Sequence, residues 1–157
     1  SVRIRENVGE GNVKLNKMRL EDSTTYFSRS GSWHHWEYDG HITRIDDNTF
    51  EILLNITEFT NKHDSKRHHK IQCVLKVDSV KRDGKVRVYG KIKGEYQCYS
   101  RSYKLDGKTE MIMYRTPHGY RGYSVQWYAE NHKLIHLHSL LTDRVLTQIV
   151  KFISQDV

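Results

Sequence analysis

The sequence predicts one all-β, mainly antiparallel domain: eight to nine strands in an up-and-down barrel, followed by one C-terminal helix. Three observations carry this expectation. The chain of 157 residues holds a single proline but 10 tyrosines, with many short runs rich in Val, Ile, Tyr and Thr, residues that suit a pleated, half-buried surface. Turn signals recur at short spacing, among them the Asp-Gly pairs that supply the positive φ angles of tight hairpins. Apolar residues alternate with polar ones, so that Phe50, Ile52, Leu54 and Ile56 share one face, as do Ile71, Cys73, Leu75 and Val77, then Val86 and Val88.

Taken in order, residues 1–22 carry Gly9, Gly11 and scattered charge without a sustained period and read as an N-terminal arm, leaving 23–157 as the single barrel domain. The expected strands are Trp33 to Tyr38, His41 to Ile45, Thr49 to Phe59, His69 to Val77, Val86 to Ile92, Tyr96 to Leu105, Thr109 to Arg115, Gly122 to Ala129 and Leu134 to Leu140. Between them stand Asp39-Gly40, Asp46-Asp47-Asn48, the polar loop Asn61 to His68, Asp83-Gly84, Lys93-Gly94, Asp106-Gly107, Pro117-His118-Gly119 and Glu130-Asn131-His132. An open sheet of that many strands would expose long edges, and closure removes them; a two-sheet sandwich is the structural rival. Leu141, Val145, Ile149 and Phe152 or Ile153 fall at helical spacing, with Thr142 or Asp143 placed to cap the start. This helix is expected to pack outside the barrel wall.

The net charge of +7 favours acidic partners. No run of 18 apolar residues exists, so no membrane span is expected, and Ser1 to Asn12 is too polar for a signal peptide. Cys73 and Cys98 lie in strand-like stretches without metal-finger spacing, which leaves buried free thiols or one disulfide. Secretion is the expected localisation, with a cytoplasmic one as the alternative; Asn55-Ile56-Thr57 is a glycosylation acceptor in the secreted case.

The segment Tyr26 to Trp33, with its Gly31-x-Trp33 triplet, resembles the opening motif of the lipocalins, a calycin-type barrel family. The meander, the basic Arg144 after the last strand and the C-terminal helix ending in Lys151-Phe152 are similar too. The resemblance implies that Gly31, Trp33 and Arg144 close the barrel floor, the guanidinium stacking on the indole. It also implies a carrier for a small apolar or amphipathic ligand.

A small barrel of about eight strands encloses either packed side chains or one small ligand. Trp36, Phe50, Tyr96, Met111, Met113, Tyr123 and Trp127 are the bulky candidates for its lining. The principal expectation is a binding protein, not an enzyme, that sequesters a small apolar or amphipathic, anionic-headed molecule and needs no cofactor. No Ser/His/Asp order, phosphate loop or HExxH segment is recognisable, and Glu37 and Glu58 are the only carboxylates near cavity-facing strands. A second expectation is RNA or DNA binding through a basic rim of Lys62, Lys66, Arg67, Lys70 and Arg82, joined by Arg101 and Lys104, with Tyr99 and Tyr103 available for stacking. A third uses the ten histidines: His136 and His138 share a strand face and could hold a metal or haem, with His34, His35 or Cys98 as a further ligand.

Overall fold

The computed structural model describes residues 16–62, 66–125 and 141–155. Seven antiparallel strands follow one another as neighbours in a single curled sheet. They are β1 (Lys17–Phe27), β2 (Trp33–Asp46), β3 (Thr49–Thr60), β4 (Arg67–Arg82), β5 (Lys85–Cys98), β6 (Arg101–Thr116) and β7 (Gly119–Val125), and the helix α1 (Asp143–Ile153) follows. The sheet is a half-barrel, because β1 and β7 each have one strand neighbour among the described residues. The alternation in β3 and β4 is the one the sequence predicts. Phe50, Ile52, Leu54, Ile56, Ile71, Cys73 and Leu75 are all buried on the concave face.

Among the described residues seven strands stand where eight to nine were expected: three glycines read as turns lie inside strands, which merges expected strands, while β1 adds one before Trp33. Gly40 pairs with Leu20 on one side and Leu54 on the other, in the middle of β2. A Cβ there would collide with the Leu53 carbonyl oxygen, and one on Gly94, opposite Cys73 in β5, would collide with that of Gln72. These positions need glycine for close backbone approach on the inside of a curved sheet, not for a hairpin. Gly107 likewise lies within β6, opposite Ile92. The real β5–β6 turn is at Tyr99-Ser100, where Tyr99 takes a positive φ of 57°. By contrast Asp46-Asp47-Asn48 and Asp83-Gly84 are turns as read. β1 begins at Lys17, so the last six residues of the stretch 1–22 read as an arm are strand. The expected strand Leu134 to Leu140 and the end of Gly122 to Ala129 lie outside the described residues.

The helix also departs from expectation. Instead of lying outside the wall, α1 packs into the concave face, where Val145, Leu146, Ile149, Val150, Phe152 and Ile153 join the core with Phe50, Met111 and Met113. Phe152 meets Phe50 edge-to-face at 6.0 Å, and Arg44 lies over both rings, at 4.7 Å and 5.6 Å. Gly122 in β7 makes room for Leu146 and Thr147, since a Cβ would come within 3.1 Å of both.

The N-cap is Thr142, whose hydroxyl accepts from the Val145 N–H at 3.2 Å. That hydroxyl donates to Asp22 Oδ2 at 2.7 Å, and Arg144 reaches Asp22 Oδ1 at 3.2 Å. Gln148 then bonds the edge of β1 twice: its Oε1 accepts from the Glu21 N–H and its Nε2 donates to the Glu21 carbonyl. Among the described residues the helix thus bridges β1 and β7, the two strands with a single strand neighbour.

Candidate functional site

The meander sends alternate connections to opposite ends. The upper end carries the β1–β2 turn Ser28–Ser32, the β3–β4 connection and the Tyr99-Ser100 turn; the lower end carries the β2–β3, β4–β5 and β6–β7 turns. The C-terminus of α1 lies at the lower end, where Arg44 and Arg82 donate to the Phe152 and Ser154 carbonyls. The lower concave face is therefore filled by the helix, and chemistry concentrates above it.

Register alone assembles the upper cluster. Ile56 pairs with His69 and Glu58 with Arg67, so Glu58 and His69 are diagonal neighbours on the concave face. His69 pairs with Cys98 and Ile71 with Tyr96, which makes Tyr96 the diagonal neighbour on the other side. Glu58, His69 and Tyr96 are all buried. His69 Nδ1 lies 2.7 Å from the Tyr96 hydroxyl and Nε2 lies 3.3 Å from Glu58 Oε1. Burial, with Cys98 next to the hydroxyl, pushes the Tyr96 phenol above its ordinary value, so it stays protonated. A protonated phenol can donate to or accept from Nδ1, and the imidazole tautomer sets the direction of the bond there and at Glu58.

Around this relay four rings line up across the sheet. Trp36 stacks on His69 at 5.9 Å, His69 on Tyr96 at 6.0 Å and Tyr96 on Tyr103 at 5.9 Å. Trp36 and Tyr103 are half-buried and pack at the margin of the core. Tyr38 is buried on the same face, its phenol raised by burial and by the carboxylates of Asp22 and Glu58. The cluster offers flat apolar surface beside hydrogen-bonding groups, in a row about 20 Å long at ~4.8 Å per strand.

Of the lining candidates, Trp36 and Tyr96 belong to this cluster, while Phe50, Met111 and Met113 lie on the same face in the core that α1 joins. Tyr123 pairs with Ile112 on the convex face and is exposed, and Trp127 lies outside the described residues. Gly31 and Trp33 open β2, not the first strand. Asn61 clamps them, accepting from the Trp33 N–H at 3.0 Å and donating to the Gly31 carbonyl at 3.2 Å. Arg144 pairs with Asp22 at the helix start, and among the described residues no guanidinium lies over the Trp33 indole.

The basic rim is divided. Lys62, Lys66 and Arg67 are at the upper end and Lys70 is on the adjoining convex face, but Arg82 is at the lower end, bonded to Ser154. Cys73 and Cys98 are free thiols; their partners Gly94 and His69 place them four residues apart along β4, about 13 Å. Among the described residues no group of three or more potential metal ligands exists, and His136 and His138 fall outside those residues. Asn55 is exposed on the convex face. No described helix is long and apolar enough to cross a membrane.

Sequence reasoning overlooked His69 as a partner for Glu58. The signal was present: each continues an apolar alternation, Glu58 after Phe50 to Ile56 and His69 before Ile71 to Leu75. A polar residue in register with a buried face must find a partner there. The antiparallel half-barrel is compatible with a calycin-like fold. No protein-family model, no curated protein and no solved structure matches this chain.

Proposed function

We propose that this protein is a binding protein for a small, flat, amphipathic ligand, held on the upper concave face. The observation that carries the reading is the buried Glu58–His69–Tyr96 hydrogen-bonded cluster set in a row of stacked rings whose outer members, Trp36 and Tyr103, are half-buried. The apolar body of the ligand lies against Trp36 and Tyr103. Its hydrogen-bonding group addresses His69, Tyr38 or Tyr96, and an anionic head group finds Lys66, Arg67 and Arg101 at the rim. Burial strengthens such polar contacts and makes them selective, because a ligand without the matching group leaves desolvated atoms unpaired.

Titration with anilinonaphthalene sulfonate, an anionic aromatic probe, tests this by fluorescence and by NMR of the histidine and tyrosine rings. Saturable 1:1 binding that shifts the His69 and Tyr96 resonances is expected, with Trp36→Ala and Tyr103→Ala each weakening it about tenfold. Binding that ignores both substitutions, or leaves those resonances unmoved, overturns the proposal.

A further inference from the structure

We infer that the upper end of the half-barrel is a docking surface for an anionic lipid bilayer, an interaction beyond the ligand site that shares with it the rim cations Lys66, Arg67 and Arg101. Three connections come to this end, and an aromatic side chain or a cation stands in or beside each of them. Phe27 and Tyr26 stand before the first turn and Tyr99 forms the third; they are 73%, 67% and 66% exposed, the largest exposures of any apolar or aromatic side chain described. Residues 26–34, 59–62, 66–68 and 97–102 contain Arg29, Lys62, Lys66, Arg67 and Arg101 and no carboxylate; the sequence adds one acid, Asp64, in the β3–β4 connection. At the lower end, residues 44–48, 81–87 and 115–121 hold Arg44, Lys81, Arg82, Lys85, Arg87, Arg115 and Arg121 among three acids, Asp46, Asp47 and Asp83. Both ends are basic, but the upper one sets its cations beside the most exposed rings.

The cations and rings are also paired. Lys66 Nζ lies 5.0 Å over Phe59 and the Arg67 guanidinium 5.6 Å over Tyr99. A ring beside a cation matches the boundary between headgroup and acyl chain, where aromatic side chains anchor and basic ones meet anionic phosphate. Tyr99 holds its place at a cost, because its φ of 57° is one that glycine adopts freely and tyrosine rarely does. Asn61 ties the first turn to the start of the β3–β4 connection. From β1 to β5 the aromatic tips span four strand spacings, about 19 Å. Such an arc at one end of the molecule fits a plane better than a thread. A nucleic-acid strand needs a continuous basic groove, whereas the depression on the convex face of β3 to β6 sets Glu51 and Glu95 among Lys93 and Lys104.

The test is sedimentation of the full chain with phosphatidylcholine vesicles, with and without phosphatidylserine. Binding is expected only with phosphatidylserine and should fall as salt rises. Lys62→Ser with Lys66→Ser should weaken it about 25-fold, about fivefold per cation. Phe27→Ala should weaken it about tenfold. Tyr99→Gly should weaken binding while leaving the fold intact, since glycine accepts that backbone angle. Equal binding to both vesicle types, wild-type binding by Phe27→Ala and Tyr99→Gly, or capture of a single-stranded oligonucleotide without vesicle association would each overturn the inference.

Discussion

Truncating Phe152 to alanine tests whether α1 is part of the core or an attachment to it. The ring is buried, meets Phe50 edge-to-face and lies under the Arg44 guanidinium, whose Nη2 also donates to the Phe152 carbonyl. Removing a buried phenyl from a site that cannot collapse costs about 3–5 kcal/mol. Collapse is resisted here because the ring is sandwiched between a strand and a cation. The edge-to-face pair supplies about 0.5–1.5 kcal/mol of that cost. Urea unfolding followed by far-UV circular dichroism and tryptophan emission gives the total, and a double-mutant cycle with Phe50→Leu isolates the coupling. A loss near 4 kcal/mol with coinciding transitions is expected. A loss below about 1 kcal/mol, or separate transitions for helix and sheet, would refute the placement of α1 as the filling of the half-barrel.

Three further predictions concern stability. Burial pushes the Cys73 thiol from 9.0 up to about 12, so above pH 9 the unfolded chain releases a proton that the folded one keeps. Stability is then full below pH 9 and falls by about 1.4 kcal/mol per pH unit above it, roughly 2–3 kcal/mol by pH 11. Tyr38 and Tyr96, whose phenols are also raised, add to the loss above pH 10. Cys73→Ala should flatten the slope of stability against pH by about one proton, and an unchanged slope would contradict the assignment. Asp22→Ala should cost about 2–3 kcal/mol, because its nearly buried carboxylate accepts from the Thr142 cap. Arg144→Ala should cost less than about 1 kcal/mol, as its guanidinium is exposed; equal costs would show that the ion pair, not the cap, anchors the helix. Tyr99→Gly should raise stability by about 1 kcal/mol by relieving the left-handed backbone, read as a higher urea midpoint at unchanged m.

The parts of this architecture that were legible in the sequence are those written in local periodicity. Period 2 identified the buried faces of β3 and β4, and the helical spacing from Leu141 to Ile153 identified α1, with Thr142 among its expected caps. Side of packing was not legible, since an apolar stripe says that a helix face is buried but not against which surface of a sheet. Glycine misled for a related reason: Gly40 and Gly94 answer to a neighbouring strand, a constraint carried by residues 13 and 22 positions away. The upper cluster required the β3–β4 and β4–β5 registers, which join Glu58 to His69 across 11 residues and His69 to Tyr96 across 27. Pairing Gly31-x-Trp33 with Arg144 is likewise a tertiary matter. Asp22 takes the arginine because it stands where the helix begins.

Gln148 gives the helix a second role. Its carboxamide presents one donor and one acceptor to Glu21 as a neighbouring peptide group would, so at that point β1 meets a side chain where a further strand would pair. Sheet growth by addition of a foreign strand is blocked there only while the helix stays seated. Anything that lifts α1 therefore does more than expose apolar surface: it turns a finished edge into a template on which another copy can pair, linking helix docking to resistance against aggregation.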